Sequence, residues 1–412
     1  MTSPPNLAQQ RAIEALRAGV PNRDAVVALG CGQPEAERRF RDQLQAAQRG
    51  LATGESTTGL LVSGGFGTGK SHLLEHLRHI AEQANFVCSK IVIGKETPFY
   101  DPVKMFRSAI QAAAIPGRRG DAVTELTALL NFDGDEFANL ERLVGDPEAG
   151  FNSRFAASLL LAKRLREPEV QHFVARFWAG EKTSIADWRS YLRLIGEART
   201  FRLESGSEKE LFLQRFRFLP RLCAAAGFAG WILFIDEVEM IGRYTITSRA
   251  KSYPEVARWM GSTDFEARGL ASVLAINDLF TPIVLQEKND LETVPEKLRW
   301  KGEDELARRA QLGMSHIQFQ GLPLTKPGDK SVHETYMRVR DIHGGAYGWN
   351  PPDIAEVHDL SKATSTPLRE LIKGWITEWD LRRLYPEHRV SLTVSAMSPD
   401  YSENADLQTE AE

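Results

Sequence analysis

The stretch GLLVSGGFGTGKS at 59–71 constrains this chain more than any other. Its apolar start reads as a short buried strand, and GGFGTGKS then fits the P-loop pattern G-x-x-x-x-G-K-S/T. A phosphate cradle needs glycine because backbone N–H groups must turn inward and approach the ligand closely. Gly64, Gly65, Gly67 and Gly69 allow this, with Phe66 and Thr68 between them. Lys70 is placed to neutralise phosphate charge, Ser71 to ligate Mg2+ from the first turn of a helix, and His72 follows. HLLEH at 72–76 also fits the inverted zinc-peptidase pattern H-x-x-E-H. His72 and His76 would share a helix face, but that helix start is committed to phosphate and no distal ligand stands out downstream. The segment is therefore expected to hold a nucleotide; a chance Gly-rich turn is the alternative.

A second anchor is WILFIDEV (231–238), an apolar strand ending in Asp236 and Glu237. Beside a P-loop, one acid can hold the water shell of Mg2+ while its neighbour orients or deprotonates an attacking water. Asp236 is accordingly the metal-side acid and Glu237 the catalytic base, against the alternative of two surface acids. Glu239 reads as a helix-start charge. LASVLAIN (270–277) ends in Asn277, which either donates to the γ-phosphate or its water, or caps the following turn. In EDELARRAQLG (303–313), Arg308 and Arg309 either reach a neighbouring subunit's nucleotide or pair with Glu303 and Glu305 on a solvated face. In STPLRELI (365–372), Arg369 falls in a first helical turn, placed to close a lid over the γ-phosphate or simply to face solvent.

Strands and helices alternate around these anchors. FVCSKIVIG (86–94) and HIQFQGLPL (316–324) read as further strands, giving an α/β chain with a parallel, doubly wound sheet. Helices are expected at 6–19, at 34–49 ending at Gly50, and from Lys70 to about Ala84. Residues 101–226 are almost wholly helical, broken at Pro116-Gly117, Asp133-Gly134-Asp135 and Ser205-Gly206-Ser207, and form an insertion. Further helices are expected after Pro327, including 350–361 and 366–381, with DIHGGAYGWNPPD (341–353) as a flexible loop. The chain thus divides into an N-terminal helical segment (1–55), a core (56–325) carrying the insertion, a helical lid (326–395) and an acidic tail (396–412) expected to be disordered.

Lys plus Arg number 51 against 55 Asp plus Glu, a net charge of −4, so contact with DNA must be local, shared or delivered by a partner. FLQRFRFLPR (212–221) could stack on bases, although its period suits an amphipathic helix with the phenylalanines inward. Cys31, Cys88 and Cys223 are too scattered for a disulfide framework and imply a reducing compartment. No run reaches the ~18 apolar residues of a membrane span, and the expected location is cytoplasmic.

Together these residues resemble an AAA+ ATPase of the Orc/Cdc6-like branch, and more narrowly the ATP-binding proteins of BREX phage-defence loci, the BrxD type. AIEALRAGVPNRDAVVALG (12–30), SGGFGTGKSH (63–72), ILFIDEVE (232–239) and STPLRELI (365–372) carry the resemblance, which spans roughly 7–385. It implies ATP and Mg2+ as ligands, Pro21–Leu29 beside the adenine, Asp236 and Glu237 as Walker B, Asn277 as sensor 1 and Arg369 as sensor 2. It also implies a homo-oligomer that remodels or loads a DNA-bound partner, such as an Lhr-like helicase, in defence. An assembly switch with little turnover and a direct DNA-binding ATPase are the other readings. Origin-binding relatives carry a carboxy-terminal winged helix, whereas about thirty residues follow the 366–381 helix in this sequence, so autonomous sequence-specific DNA binding is not expected.

Overall fold

Six strands form one sheet in the order β3-β2-β4-β5-β1-β6. They are β1 (Leu60–Ser63), β2 (Val87–Val92), β3 (Ala113–Ala114), β4 (Trp231–Asp236), β5 (Leu270–Ile276) and β6 (Leu322–Pro323). All pairings are parallel except β3, which runs antiparallel to β2 at one edge. This computed structural model describes residues 6–203, 206–354, 367–387, 401–404 and 407.

Both faces of the sheet are covered, as apolar parallel strands require. Leu60, Val62, Ile232, Phe234 and Val273 point into one core layer with Phe40, Leu44, Leu73 and Leu77. Those last four lie on α3 (Pro34–Thr53) and α4 (Lys70–Gln83). Leu61, Leu233, Ile235 and Leu274 point into the other layer, which continues into the insertion. Ahead of α3 lie α1 (Leu7–Ala18) and α2 (Arg23–Leu29). The insertion comprises α5 (Pro102–Gln111), α6 (Ala122–Leu129), α7 (Asp135–Gly145), α8 (Ser153–Arg164), α9 (Pro168–Trp178), α10 (Ile185–Leu194) and α11 (Glu208–Ala225). Its core is aromatic: Phe106 packs edge-on against Phe212 and Phe216, and Phe155 against Phe177 and Phe218. Phe212, Phe216 and Phe218 are all buried, so the FLQRFRFLPR stretch turns its rings inward.

After the sheet returns come α12 (Ile246–Trp259), α13 (Asp290–Trp300), α14 (Asp304–Phe319), α15 (Asp329–Tyr347) and α16 (Leu368–Leu384). The first four residues of the 316–324 stretch are thus helix: Gly313, Met314 and Ile317 continue the buried face of α14, leaving only two strand residues, Leu322 and Pro323. Gly50 does not end α3, because it is buried within the helix and the left-handed cap falls at Gly54. Residues 341–347 are the last turns of α15 rather than a loop, with Ile342, His343 and Ala346 buried. Residues 350–354 are not helical, and 355–361, expected to be helix, lie outside the described residues. The same holds for most of the 396–412 tail, yet Tyr401 is buried and Asn404 N–H donates to the Arg243 carbonyl at 3.1 Å. Among the described residues no helix is long and apolar enough to cross a membrane.

The pair α12–α14 packs backbone to backbone at Gly313, where an added Cβ would lie 1.9 Å from the Tyr253 carbonyl oxygen. Gly313→Ala must push the helices apart and should cost about 1–3 kcal/mol in urea unfolding. Gly145→Ala, which opens onto empty space, should stay within about 0.5 kcal/mol. Equal midpoints for the two variants would contradict this close approach.

Candidate nucleotide site

Strand register gathers the candidate residues at one edge. Ser63 is level with Ile276, Ile235 with Leu274 and Val92 with Asp236, so β1, β5, β4 and β2 all end together. Gly64 N–H donates to the Ile276 carbonyl at 3.1 Å, carrying the ladder one residue beyond β1. The chain then curls: Gly67 and Gly69 take φ of +75° and +99°, which only glycine adopts freely. Thr68 Oγ1 donates to the Gly65 carbonyl at 2.8 Å and closes the turn. Lys70 Nζ reaches back over the loop, donating to Gly64 and Gly65 carbonyls at 2.7 and 3.1 Å. Ser71, half-buried at the start of α4, makes no side-chain hydrogen bond among the described residues.

The acids arrive from β4. Asp236 is buried, accepts the Glu237 N–H at 3.0 Å, and lies 3.5 Å from Lys90 Nζ on the adjoining strand. Glu237 adopts φ +58°, a left-handed conformation rare outside glycine, which turns its exposed side chain out of the strand line. Partial desolvation of its carboxyl, then the Asp236 charge, raise its pKa against the opposing pull of Lys70, Lys90 and Arg369. Glu239 does stand in the first turn of a 3-10 segment, Val238–Arg243, but it is more than a helix-start charge. It lies 3.8 Å from Lys70 Nζ, its Oε2 is buried without a partner, and burial raises its pKa. Glu239 and Lys90 are the residues that reading by motif passed over. Position two past the acid pair was the signal for the first; the second shows only once β2 is paired with β4.

Asn277 is buried at the tip of β5. Its Oδ1 accepts the Leu279 N–H at 2.9 Å as a cap, while its NH2 makes no hydrogen bond among the described residues. Arg369, in the first turn of α16, lies over the Phe66 ring at 5.7 Å, and Pro367 packs so near Gly67 that a Cβ there would fall 2.6 Å away. Arg308 and Arg309 are elsewhere: both bind Glu305, at 2.8 and 2.7 Å, and hold its carboxyl down to about 2. Of the two acids expected to pair with them, Glu305 does, Arg309 adds Asp264 at 3.4 Å, and no pair with Glu303 is present among the described residues.

Beside the loop a cavity of about 380 Å³ is lined by Leu16, Pro21, Leu29, His72, Leu368 and Arg369, among others. His72 Nε2 donates to the Gly30 carbonyl at 2.7 Å and ties α4 to the end of α2, and burial lowers its pKa against that hydrogen bond. His76 points elsewhere and donates to Glu37 Oε1 at 3.0 Å, as does the Cys31 thiol at 3.1 Å. Burial and Glu37 push that thiol up to about 12. The groups near HLLEH that could hold a metal thus come from upstream; Glu37 joins Cys31 and His76 by hydrogen bonds, while His76 Nδ1 is buried without a partner among the described residues.

Residues 5–127 match the family model described as BREX system ATP-binding protein BrxC/D. The matched segment, less than half of the chain, holds α1–α4, the Gly-rich loop and the first part of the insertion. The chain therefore resembles the BrxC/D proteins where the motifs at 12–30 and 63–72 lie. No curated protein matches it.

Because burial raises Glu239, its ionisation opposes folding: the stability it lends below about pH 4.5 is lost as pH rises through the raised value. Glu239→Gln should therefore be more stable than the natural chain near pH 8, with the gain fading toward pH 4.5 in urea titrations. No gain at pH 8 would mean that Lys70 fully compensates the carboxylate.

Proposed function

We propose that this chain is a P-loop ATPase of the AAA+ type in a BREX phage-defence system, using ATP to remodel or load a DNA-bound partner such as a helicase. The reading rests on one observation: the Gly-rich loop, Asp236, Glu237 and Asn277 converge at one sheet edge. The BrxC/D match, whose description names ATP-binding proteins, supports the nucleotide. The 380 Å³ cavity takes the base and ribose between α1–α2 and α16, and Gly64–Gly69 wrap the phosphates. Ser71, whose hydroxyl makes no hydrogen bond among the described residues, and Asp236, whose Oδ2 lies 3.5 Å from Lys90 Nζ, are the residues that would hold Mg2+, which would neutralise phosphate charge there.

In this reading Lys70, already over the loop, supplies positive charge to the β- and γ-phosphates. Glu237 takes the proton from the attacking water, and its raised pKa makes it a stronger base than an ordinary glutamate. The Asn277 amide orients that water or the γ-phosphate, while Glu239 holds Lys70 in place. The 326–395 helices act as a lid whose Arg369 meets the loop tip, packed with the 1–55 segment. In a homo-oligomer, Arg308, the more exposed of the pair, reaches the neighbouring copy's site.

Glu237→Gln should lower ATP turnover roughly 100-fold or more while ATP affinity stays within about threefold. Full turnover in that variant would remove Glu237 from the chemistry, and function without turnover would favour an assembly switch. The acid limb of kcat/KM should fall above about pH 4.5, since activity is lost as pH drops through the raised Glu237 value. Rates measured with single-stranded DNA, duplex DNA and an Lhr-like helicase address the partner; no response to any of them counts against remodelling.

A further inference from the structure

Away from this edge, α11 of the insertion faces α12 and α14 across a cleft of about 630 Å³. Five arginines line it: Arg217 and Arg221 from α11, Arg258 from α12, Arg309 from α14, and Arg268 ahead of β5. Three are matched by carboxylates, Arg258 with Glu255 at 2.8 Å, Arg268 with Glu266 at 3.0 Å and Arg309 with Glu305 at 2.7 Å. Two are not. Arg217 donates only to the Glu266 carbonyl at 3.3 Å and lies over the Phe151 ring at 4.7 Å. Arg221 is 7% exposed and makes no hydrogen bond or ion pair among the described residues. The Nε of Arg268 is likewise buried without a partner. Asp146, Glu148, Glu210 and Asp264 also line the cleft but are exposed, where solvent screens them.

A guanidinium stays charged at neutral pH, so burying one without a counter-charge opposes folding unless a ligand supplies the charge. Burial and the Arg268 charge lower the Arg221 pKa against the pull of Glu136, and burial lowers that of Arg217 against the pull of Glu266. Planar forks converging from separate elements match a tetrahedral oxyanion. We propose that this cleft binds a phosphate group, carried by a nucleic-acid strand or by a free phosphorylated molecule. The FLQRFRFLPR stretch then serves through its arginines: its phenylalanines build the insertion core and thereby fix Arg217 and Arg221 at the cleft wall.

The test uses the full chain saturated with a non-hydrolysable ATP analogue, so that the Gly-rich loop does not capture the probe. Labelled single-stranded and duplex oligonucleotides are titrated by anisotropy, and inorganic phosphate and pyrophosphate by calorimetry. Arg221→Met and Arg217→Gln should each weaken the bound probe about tenfold or more, and with DNA should reduce the salt slope by about one. Arg221→Met should also keep or raise the Tm of the free chain, because it removes an uncompensated buried charge. A purely structural arginine would lower the Tm and leave binding unchanged. DNA binding assigns the phosphate to a strand, and phosphate or pyrophosphate binding alone assigns it to a small ligand. The proposal is overturned if no probe binds, or if both variants bind as the natural chain does; should Arg221→Met fold poorly, Arg217→Gln decides.

Discussion

The hydrogen bond from the Gly64 amide to the Ile276 carbonyl fixes where the chain leaves the sheet, and the candidate site depends on it. It extends the β1–β5 ladder one residue, so the loop begins level with the tip of β5 and one strand away from Asp236. From there two positive-φ glycines bend the backbone into the start of α4. A shift of one residue in β1 would send its core side chains to the opposite face and move the loop away from the acids. Because Leu61 belongs to one core layer and Leu60 and Val62 to the other, both faces of β1 are apolar, and it is the pairing with β5 and the Gly64 hydrogen bond that hold this register.

Electrostatics at this edge sets two lysines against three acids. Lys90 serves Asp236 and Lys70 lies near Glu239, but burial still raises both Glu237 and Glu239. An acid held above its usual pKa beside another acid marks a candidate functional group, and ion-paired structural carboxylates show the opposite shift. Glu305, held low by two arginines on the surface of α14, is that contrast within the same chain. The left-handed backbone at Glu237 points the same way, since such strain persists only where the surroundings enforce it.

Much of this edge was legible in sequence because it is encoded locally. The glycine spacing of 64–69, the apolar runs of β4 and β5 and the acid pair each declare themselves within about eight residues. What could not be read depended on distant partners. HIQFQGLPL alternates well enough for a strand, yet packing of Gly313 against Tyr253 commits its first four residues to α14. DIHGGAYGWNPPD carries loop-like glycines, but His343 is held inside by Asp380, 37 residues away. Lys90 and Glu239 joined the site only through strand pairing and burial, neither of which has a sequence motif.

The two ends of the described chain are tied to the loop by packing rather than by motif. Ile13, Leu16, Val339, Trp375 and Trp379 form one apolar cluster, so α1, α15 and α16 pack as a unit. Burial alone would raise Asp380, but hydrogen bonds from His343 and Arg17 hold it below its usual value and lock the same three helices. This unit meets the Gly-rich loop through Pro367 against Gly67 and Arg369 over Phe66. At the far side of β4, Tyr401 packs against Phe280 while Lys288 donates to the Tyr401 and Gly242 carbonyls. The segments that follow both strand tips are thereby joined behind Glu237 and Asn277. A change of loop conformation would accordingly be felt by the packed α1–α15–α16 unit, whereas the acid edge is braced from behind.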